Sequence, residues 1–279
     1  MKKISFIISL LFVCLSIVGQ ISKLRFDGDW MFTDVSINEG SVNRVANSLI
    51  DTGSSYCVID STYLVDNFNV TLSDLQYTDI IDLKKHSLSI KIDSFSFCGL
   101  ALNEVFCIVL DMKSLFKDYA PDFIIGANVL HRHSWKFNMK DSTINFYDGI
   151  KENGTTIKWK SHKDYKDISL GFIVFEGKIG EKKNRFVFDT GTKSCCLQKD
   201  FYTGKKELVY KETADVLLPY TIREIELFKD VRFNIGNNSY CLNFINGHSH
   251  GDFGLLNISF LNGKSFIINY PKKVLTILD

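Results

Sequence analysis

Short apolar runs recur along the chain beyond residue 20, and in one stretch apolar and polar positions alternate with a period of two. In Leu88 to Phe97, Leu88, Ile90 and Ile92 fall on one face and Ser89, Lys91 and Asp93 on the other, which predicts a half-buried strand. Phe172-Ile173-Val174-Phe175, closed by Gly177, and Arg185-Phe186-Val187-Phe188 predict a hairpin. Trp30 to Ile37 and Val45 to Ile50 predict another, with Gly40 in its turn. Leu217 to Phe233 carries several short apolar runs. The segments around Val129 and Phe260, just past the Gly126 and Asn257 turns, are the strongest candidates for short helices. The expected fold class is all-β.

The pattern is written twice. Ile50-Asp51-Thr52-Gly53-Ser54-Ser55 recurs as Phe188-Asp189-Thr190-Gly191-Thr192-Lys193 at an offset of 138, and Cys57 and Cys195 hold the same place after the two motifs. Phe123-Ile124-Ile125-Gly126-Ala127-Asn128-Val129-Leu130 parallels Gly254-Leu255-Leu256-Asn257-Ile258-Ser259-Phe260-Leu261 at an offset of 131. That second register continues without a gap, through Ser134-Trp135-Lys136-Phe137-Asn138 on Ser265-Phe266-Ile267-Ile268-Asn269, to Asp148 on Asp279. Repeats of this kind imply two copies of one unit. The expected division is a first lobe over 20–150, a polar linker over 151–164 and a second lobe over 165–279.

Residues 1–19 read as an export signal rather than as part of the fold. Lys2 and Lys3 precede the apolar run Ile4 to Val18, and Gly19-Gln20 is a fitting cleavage point. The run is short for a membrane span, and no later run reaches spanning length, so no membrane span is expected after its removal. The expected location is outside the cytoplasm, periplasmic or secreted. Losing Lys2 and Lys3 moves the net charge from +1 to −1. That near-balance gives no reason to expect nucleic acid as a partner. Six cysteines remain, an even number that fits either disulfides or buried thiols. No Cys/His spacing suits a zinc site, and no metal or other cofactor is expected.

One Asp-Thr-Gly is an ordinary turn sequence. Two copies, each behind an apolar strand and each followed by a hydroxyl residue, suggest more. If the copies face each other across a twofold axis, Asp51 and Asp189 lie side by side. Carboxylates about 3 Å apart cannot both ionise easily, so they share a proton. The ionised partner serves as general base for a water, and the protonated one hydrogen-bonds a substrate carbonyl oxygen. Gly53 and Gly191 allow tight turns with backbone amides aimed at the carboxylates. Thr52 and Thr190 can hydrogen-bond into the opposite loop. Ser54 and Thr192 can donate to the outer carboxylate oxygens, favouring their charged form.

With these residues in place, the sequence resembles the aspartic peptidases of the pepsin/retropepsin clan. Asp-Thr-Gly-Ser and Asp-Thr-Gly-Thr are similar to the two pepsin motifs, and Ile124-Ile125-Gly126 resembles the segment that packs behind each catalytic loop. The resemblance covers both halves and is closest to bacterial retropepsin-like domains fused in tandem. It implies a bilobal fold, two β-barrel lobes related by a pseudo-twofold axis, with few short helices. It also implies peptide hydrolysis in a cleft that takes an extended peptide or protein segment. Pepsin itself is the standard example of a split carboxylate pair. A single chain with both motifs is expected to act as a monomer.

Three departures stand out. Asn257 replaces the glycine of the family segment, and Asn is expected to tolerate a left-handed turn there. About 30 residues separate the signal from Asp51, too few for a long inhibitory prosegment. The flap that closes over the family's cleft falls between Leu75 and Ile92, with Lys84-Lys85-His86 near its tip; Tyr77 sits too near Asp51 for the family's flap tyrosine and is expected in the core or sheet. Other residues carry less. His131 and His133, and His248 and His250, read as solvated loops. Cys195 and Cys196 read as thiols buried behind the second loop. Asn69-Val70-Thr71 and Asn153-Gly154-Thr155 are glycosylation sequons that matter only in a eukaryotic source. The alternatives to an exported endopeptidase are a catalytically inactive peptide-binding or inhibitory module of the same fold, and a purely structural exported β protein.

Overall fold

The computed structural model describes residues 20–80, 85–161, 171–198, 201–202, 204–215, 218–247 and 253–279. The export-signal segment, Lys84, His248 and His250 lie outside the described residues. The described chain is mostly β. Its strands are β1 (Ser22–Lys23), β2 (Arg25–Asp27), β3 (Trp30–Glu39), β4 (Val42–Ile50), β5 (Cys57–Asp60), β6 (Gln76–Ile80), β7 (Lys85–Phe97), β8 (Leu100–Leu110), β9 (Phe123–Ile125), β10 (Trp135–Asn138) and β11 (Thr143–Phe146). They continue with β12 (Gly154–Lys158), β13 (Ile173–Ile179), β14 (Lys182–Phe188), β15 (Cys196–Leu197), β16 (Lys206–Asp215), β17 (Leu218–Ile235), β18 (Asn238–Asn246), β19 (Phe253–Leu256), β20 (Phe266–Asn269) and β21 (Val274–Leu278). The short helices are α1 (Ser61–Asn67), α2 (Met112–Phe116) and α3 (Ala127–Leu130), with 3-10 turns at Leu72–Asp74, Lys117–Tyr119 and Ile258–Leu261; α1 and α2 lie outside the segments expected to be helical.

Two closed rings of six strands carry the architecture. The first runs β3-β4-β9-β5-β8-β7 and closes where β7 pairs back onto β3, Ile37 opposite Phe95. The second runs β13-β14-β19-β15-β18-β17 and closes where β17 pairs onto β13, Lys178 opposite Asn234. Corresponding pairs share direction: β4/β9 and β14/β19 are parallel, as are β5/β8 and β15/β18, while β5/β9 and β15/β19 are antiparallel. Closure removes most of the exposed strand edge that an open sheet of this size would present. One further sheet, β1-β11-β10-β20-β21-β12, joins the halves. Its central pair is β10 with β20, Lys136 opposite Ile267, which is the 131-residue offset of the sequence repeat. Phe137 and Phe266, also partners in that ladder, stack with ring centroids 4.3 Å apart and planes at 7°.

Aromatic side chains fill the interior. Phe186, Phe233, Phe244 and Phe260 pack edge and face inside the second ring, and Phe95, Phe97, Phe123 and Trp135 do so in and below the first. A single apolar cluster runs through both rings and the joining sheet. This is the burial that the alternating pattern and the 23 Phe residues supply.

Several local expectations change. Gly177 lies inside β13, not at its end; a Cβ there would come within 2.4 Å of the Asn234 carbonyl oxygen, so the glycine admits the crossing strand β17. The runs of 218–233 fall in one long strand, β17, and Leu217 lies outside the described residues. Ser89, expected on the polar face, is buried, with its hydroxyl bonded to Thr78 Oγ1 and the Gln76 carbonyl. Part of the expected linker is strand β12, paired along β21. Tyr77 lies in sheet strand β6 but is 78% exposed, so it is no core residue. The Val129 segment is helical, and the Phe260 segment takes one 3-10 turn.

Candidate active site

Each Asp-Thr-Gly leaves the end of an apolar strand that is pinned from behind. Asp51 N donates to the Ile125 carbonyl (3.1 Å), and Asp189 N donates to the Leu256 carbonyl (2.8 Å). The strand before each loop, β4 or β14, runs parallel to β9 or β19. The two loops then interlock. Thr52 N donates to Thr190 Oγ1 and Thr190 N to Thr52 Oγ1, both at 3.1 Å. Thr52 Oγ1 in turn donates to the Phe188 carbonyl (2.8 Å), and Thr190 Oγ1 donates to the Ile50 carbonyl (2.7 Å). Both threonines are buried, so these four bonds form away from competing water.

This lattice brings Asp51 and Asp189 into hydrogen-bonding reach of each other. Gly53 N donates to Asp51 Oδ1 and Gly191 N to Asp189 Oδ1, each at 2.8 Å. Packing, not a left-handed backbone, explains the glycines. A Cβ on Gly53 would lie 2.4 Å from Asp189 Cγ, and one on Gly191 would lie 2.3 Å from Asp51 Cγ. Each glycine clears the space that the opposite carboxyl occupies. Both aspartates keep part of their surface open, yet protein surrounds Asp51 on most sides. Desolvation pushes the Asp51 carboxyl well above the ordinary carboxylate range, and repulsion from Asp189 pushes it further, against the opposing Gly53 N–H bond.

The outer hydroxyls do not act as expected. Ser54 Oγ donates to the Tyr56 carbonyl (2.7 Å), and Thr192 Oγ1 donates to the Ser194 carbonyl (3.2 Å). Both close a local turn, the bond that short hydroxyl side chains make most readily. The left-handed expectation for Asn257 also fails: its φ of −90° and ψ of −171° are extended and nearly those of Gly126 (−94°, −177°). Gly126 is glycine for lack of room, since a Cβ would lie 2.2 Å from the Tyr56 carbonyl oxygen. In the second half Asn257 uses its side chain instead. Its Oδ1 accepts Ser259 N (3.1 Å) and the Cys195 thiol (3.2 Å), while its Nδ2 donates to Asp29 Oδ2 (2.8 Å). Cys57 and Cys195 are equivalent in space as in sequence: Gly126 N donates to Cys57 Sγ (3.4 Å), and Asn257 N donates to Cys195 Sγ (3.5 Å).

Sequence reasoning overlooked the residues that brace the second loop from the first half. Trp30 Nε1 donates to the Gly191 carbonyl (2.8 Å). The Lys193 ammonium sits 4.0 Å from the Trp30 ring centroid and 3.8 Å from that of Tyr119, with Asp27 Oδ2 at 3.4 Å. Nothing in the alternation pattern marks Trp30, because as a strand residue it reads as core. Burial pushes the Cys195 thiol up to about 11, which makes it a poor nucleophile at neutral pH. The six cysteines among the described residues are thiols, five of them buried. His131 and His133 do lie in the turn that follows α3, but both are half-buried: His131 Nε2 lies 2.9 Å from the Gly171 carbonyl oxygen, and the His133 ring packs 4.8 Å from Phe146. Among the described residues no group of three or more His, Cys, Asp or Glu is placed to hold a metal ion. No family model matches the chain, and no curated protein matches it.

Proposed function

We propose that the protein is an exported aspartic endopeptidase with a bilobal, pepsin-like fold. The observation that carries this reading is the reciprocal lattice of Thr52 and Thr190 that holds Asp51 against Asp189, each carboxyl receiving the amide of its own glycine. The lobes correspond to the two strand rings, one peptide lies extended between them, and one chain supplies both acids. With one proton shared by the pair, the ionised carboxyl takes a proton from a water lying between them. The other hydrogen-bonds the scissile carbonyl oxygen as the water attacks, and a proton then passes to the leaving amine. Desolvation around Asp51 favours the protonated member that this scheme needs at mildly acidic pH.

Asp51→Asn and Asp189→Asn are each expected to lower cleavage of a mixed peptide library by at least about a thousandfold, as loss of a general acid–base group does. Retained far-ultraviolet circular dichroism would show that the fold persists. An unchanged rate in either variant overturns the assignment. A second reading, a catalytically inactive peptide-binding module, draws on the turn-closing bonds of Ser54 and Thr192, which leave the outer carboxylate oxygens without hydroxyl donors from those residues. Binding of a statine peptide without cleavage of any library member would favour it.

A further inference from the structure

The long hairpin β16/β17 of the second ring packs against α2 of the first half. Helix α2 ends at Phe116, whose ring meets the Trp30 ring edge-on at 5.8 Å, and Trp30 holds the Gly191 carbonyl. The hairpin thus borders the second Asp-Thr-Gly loop. From β16, the half-buried Lys211 donates to the hydroxyl of Ser194, which lies on that loop between Lys193 and Cys195. Ser194 is the one group that Lys211 bonds among the described residues, and no carboxylate there lies within ion-pair distance of it. An ammonium has three donors, and one hydroxyl leaves two of them and the whole charge unanswered.

Neighbouring cations differ. Lys193 has Asp27 and two aromatic faces, Lys206 has Glu226, and Lys229 has Glu207. Asp29, the nearby acid that also acts on Cys195, is held by Asn257. Directly across the ladder from Lys211 stands Arg223, so the two side chains share one face of the hairpin. Arg223 itself donates from Nε to Thr221 Oγ1 (3.1 Å) and adds positive charge to the face that Lys211 occupies. The matching hairpin of the first half, β6/β7, places Thr78 opposite Ser87 and Gln76 opposite Ser89, so this feature belongs to one side of the dyad only.

We propose that Lys211, with Arg223 beside it, forms a subsite for a carboxylate side chain, so that the preferred substrates carry Asp or Glu close to the scissile bond on the side of the second loop. The proposal rests on the peptidase reading for its location and names that site's substrate class. The test uses peptides cut from the mixed library and remade with Glu, Gln or Lys at each of three positions either side of the bond. Statine peptides with the same exchanges provide a binding readout that needs no catalysis.

Wild type is expected to favour Glu over Lys at one position by at least tenfold, in cleavage and in statine-peptide affinity. Lys211→Glu reverses the order, and Lys211→Gln brings the ratio towards one; thermal unfolding of each variant checks that it folds. The preference fades below about pH 4, where a peptide Glu protonates, and survives amidation of the peptide's C-terminus. Equal handling of Glu and Lys by wild type, or an unchanged ratio in Lys211→Glu, overturns the proposal. Loss of the preference on amidation also overturns it, assigning the site to a terminal carboxylate. Charge-selective statine binding without any cleavage upholds the subsite and overturns the peptidase reading. Absence of both binding and cleavage overturns both.

Discussion

Asp51 carries two opposed demands. Its amide bond from Gly53 favours the charged form, while desolvation and the adjacent Asp189 favour the neutral one, and the second set wins. A carboxyl whose native pKa lies above its unfolded value binds its proton more tightly in the folded state. Its contribution is therefore fully present below the ordinary carboxylate range and lost as pH rises through the raised native value. Asp51→Asn removes that loss. The variant is expected to match wild type in thermal stability near pH 3 and to exceed it at pH 7, measured by calorimetry at both pH values. A variant less stable than wild type at pH 7 would show that the ionised pair stabilises the fold. The glycines belong to the same balance: the facing carboxyl fills the space of any Cβ, so their role is clearance for a neighbour from the other half of the chain.

Among the elements, the two segments behind the catalytic loops reach one geometry by different chemistry. Gly126 gives way to the Tyr56 carbonyl, whereas Asn257 fills its place with hydrogen bonds to Ser259, Cys195 and Asp29. Restoring a glycine at this position is expected to destabilise. Asn257→Gly loses a cap and the bond to Asp29, a cost of about 1–2 kcal/mol. Urea unfolding should show a lower midpoint at unchanged slope. No change in midpoint would mean that water replaces those bonds without loss. The same segment shows how far the pattern could be read. The helical turn after Asn257 was legible from its match to the first half, but the conformation of Asn257 was not, because its side-chain partners Asp29 and Cys195 come from remote parts of the chain.

For the whole molecule, the joining sheet is the element that makes two rings one body. Its central ladder, β10 with β20, buries Trp135, Phe137, Phe266 and Ile268, and the Phe137–Phe266 stack lies in it. Phe266→Ala is expected to cost about 3–5 kcal/mol, the usual loss for a buried Phe. Chemical denaturation measures it, and a loss under 1 kcal/mol would mean that the halves hold without this contact. Sequence alone determined the β character, the repeat, the two motifs and the two short helical turns, because periodicity and self-similarity are local or internal properties of the chain. Tertiary structure alone decided the closing of each ring, the reach of β16/β17 to α2, the bracing of Gly191 by Trp30 and the contact of the Lys211 ammonium with Ser194. Those contacts join residues far apart in sequence, and their partners are chosen by shape and unsatisfied charge in the folded molecule, which no spacing along the chain records.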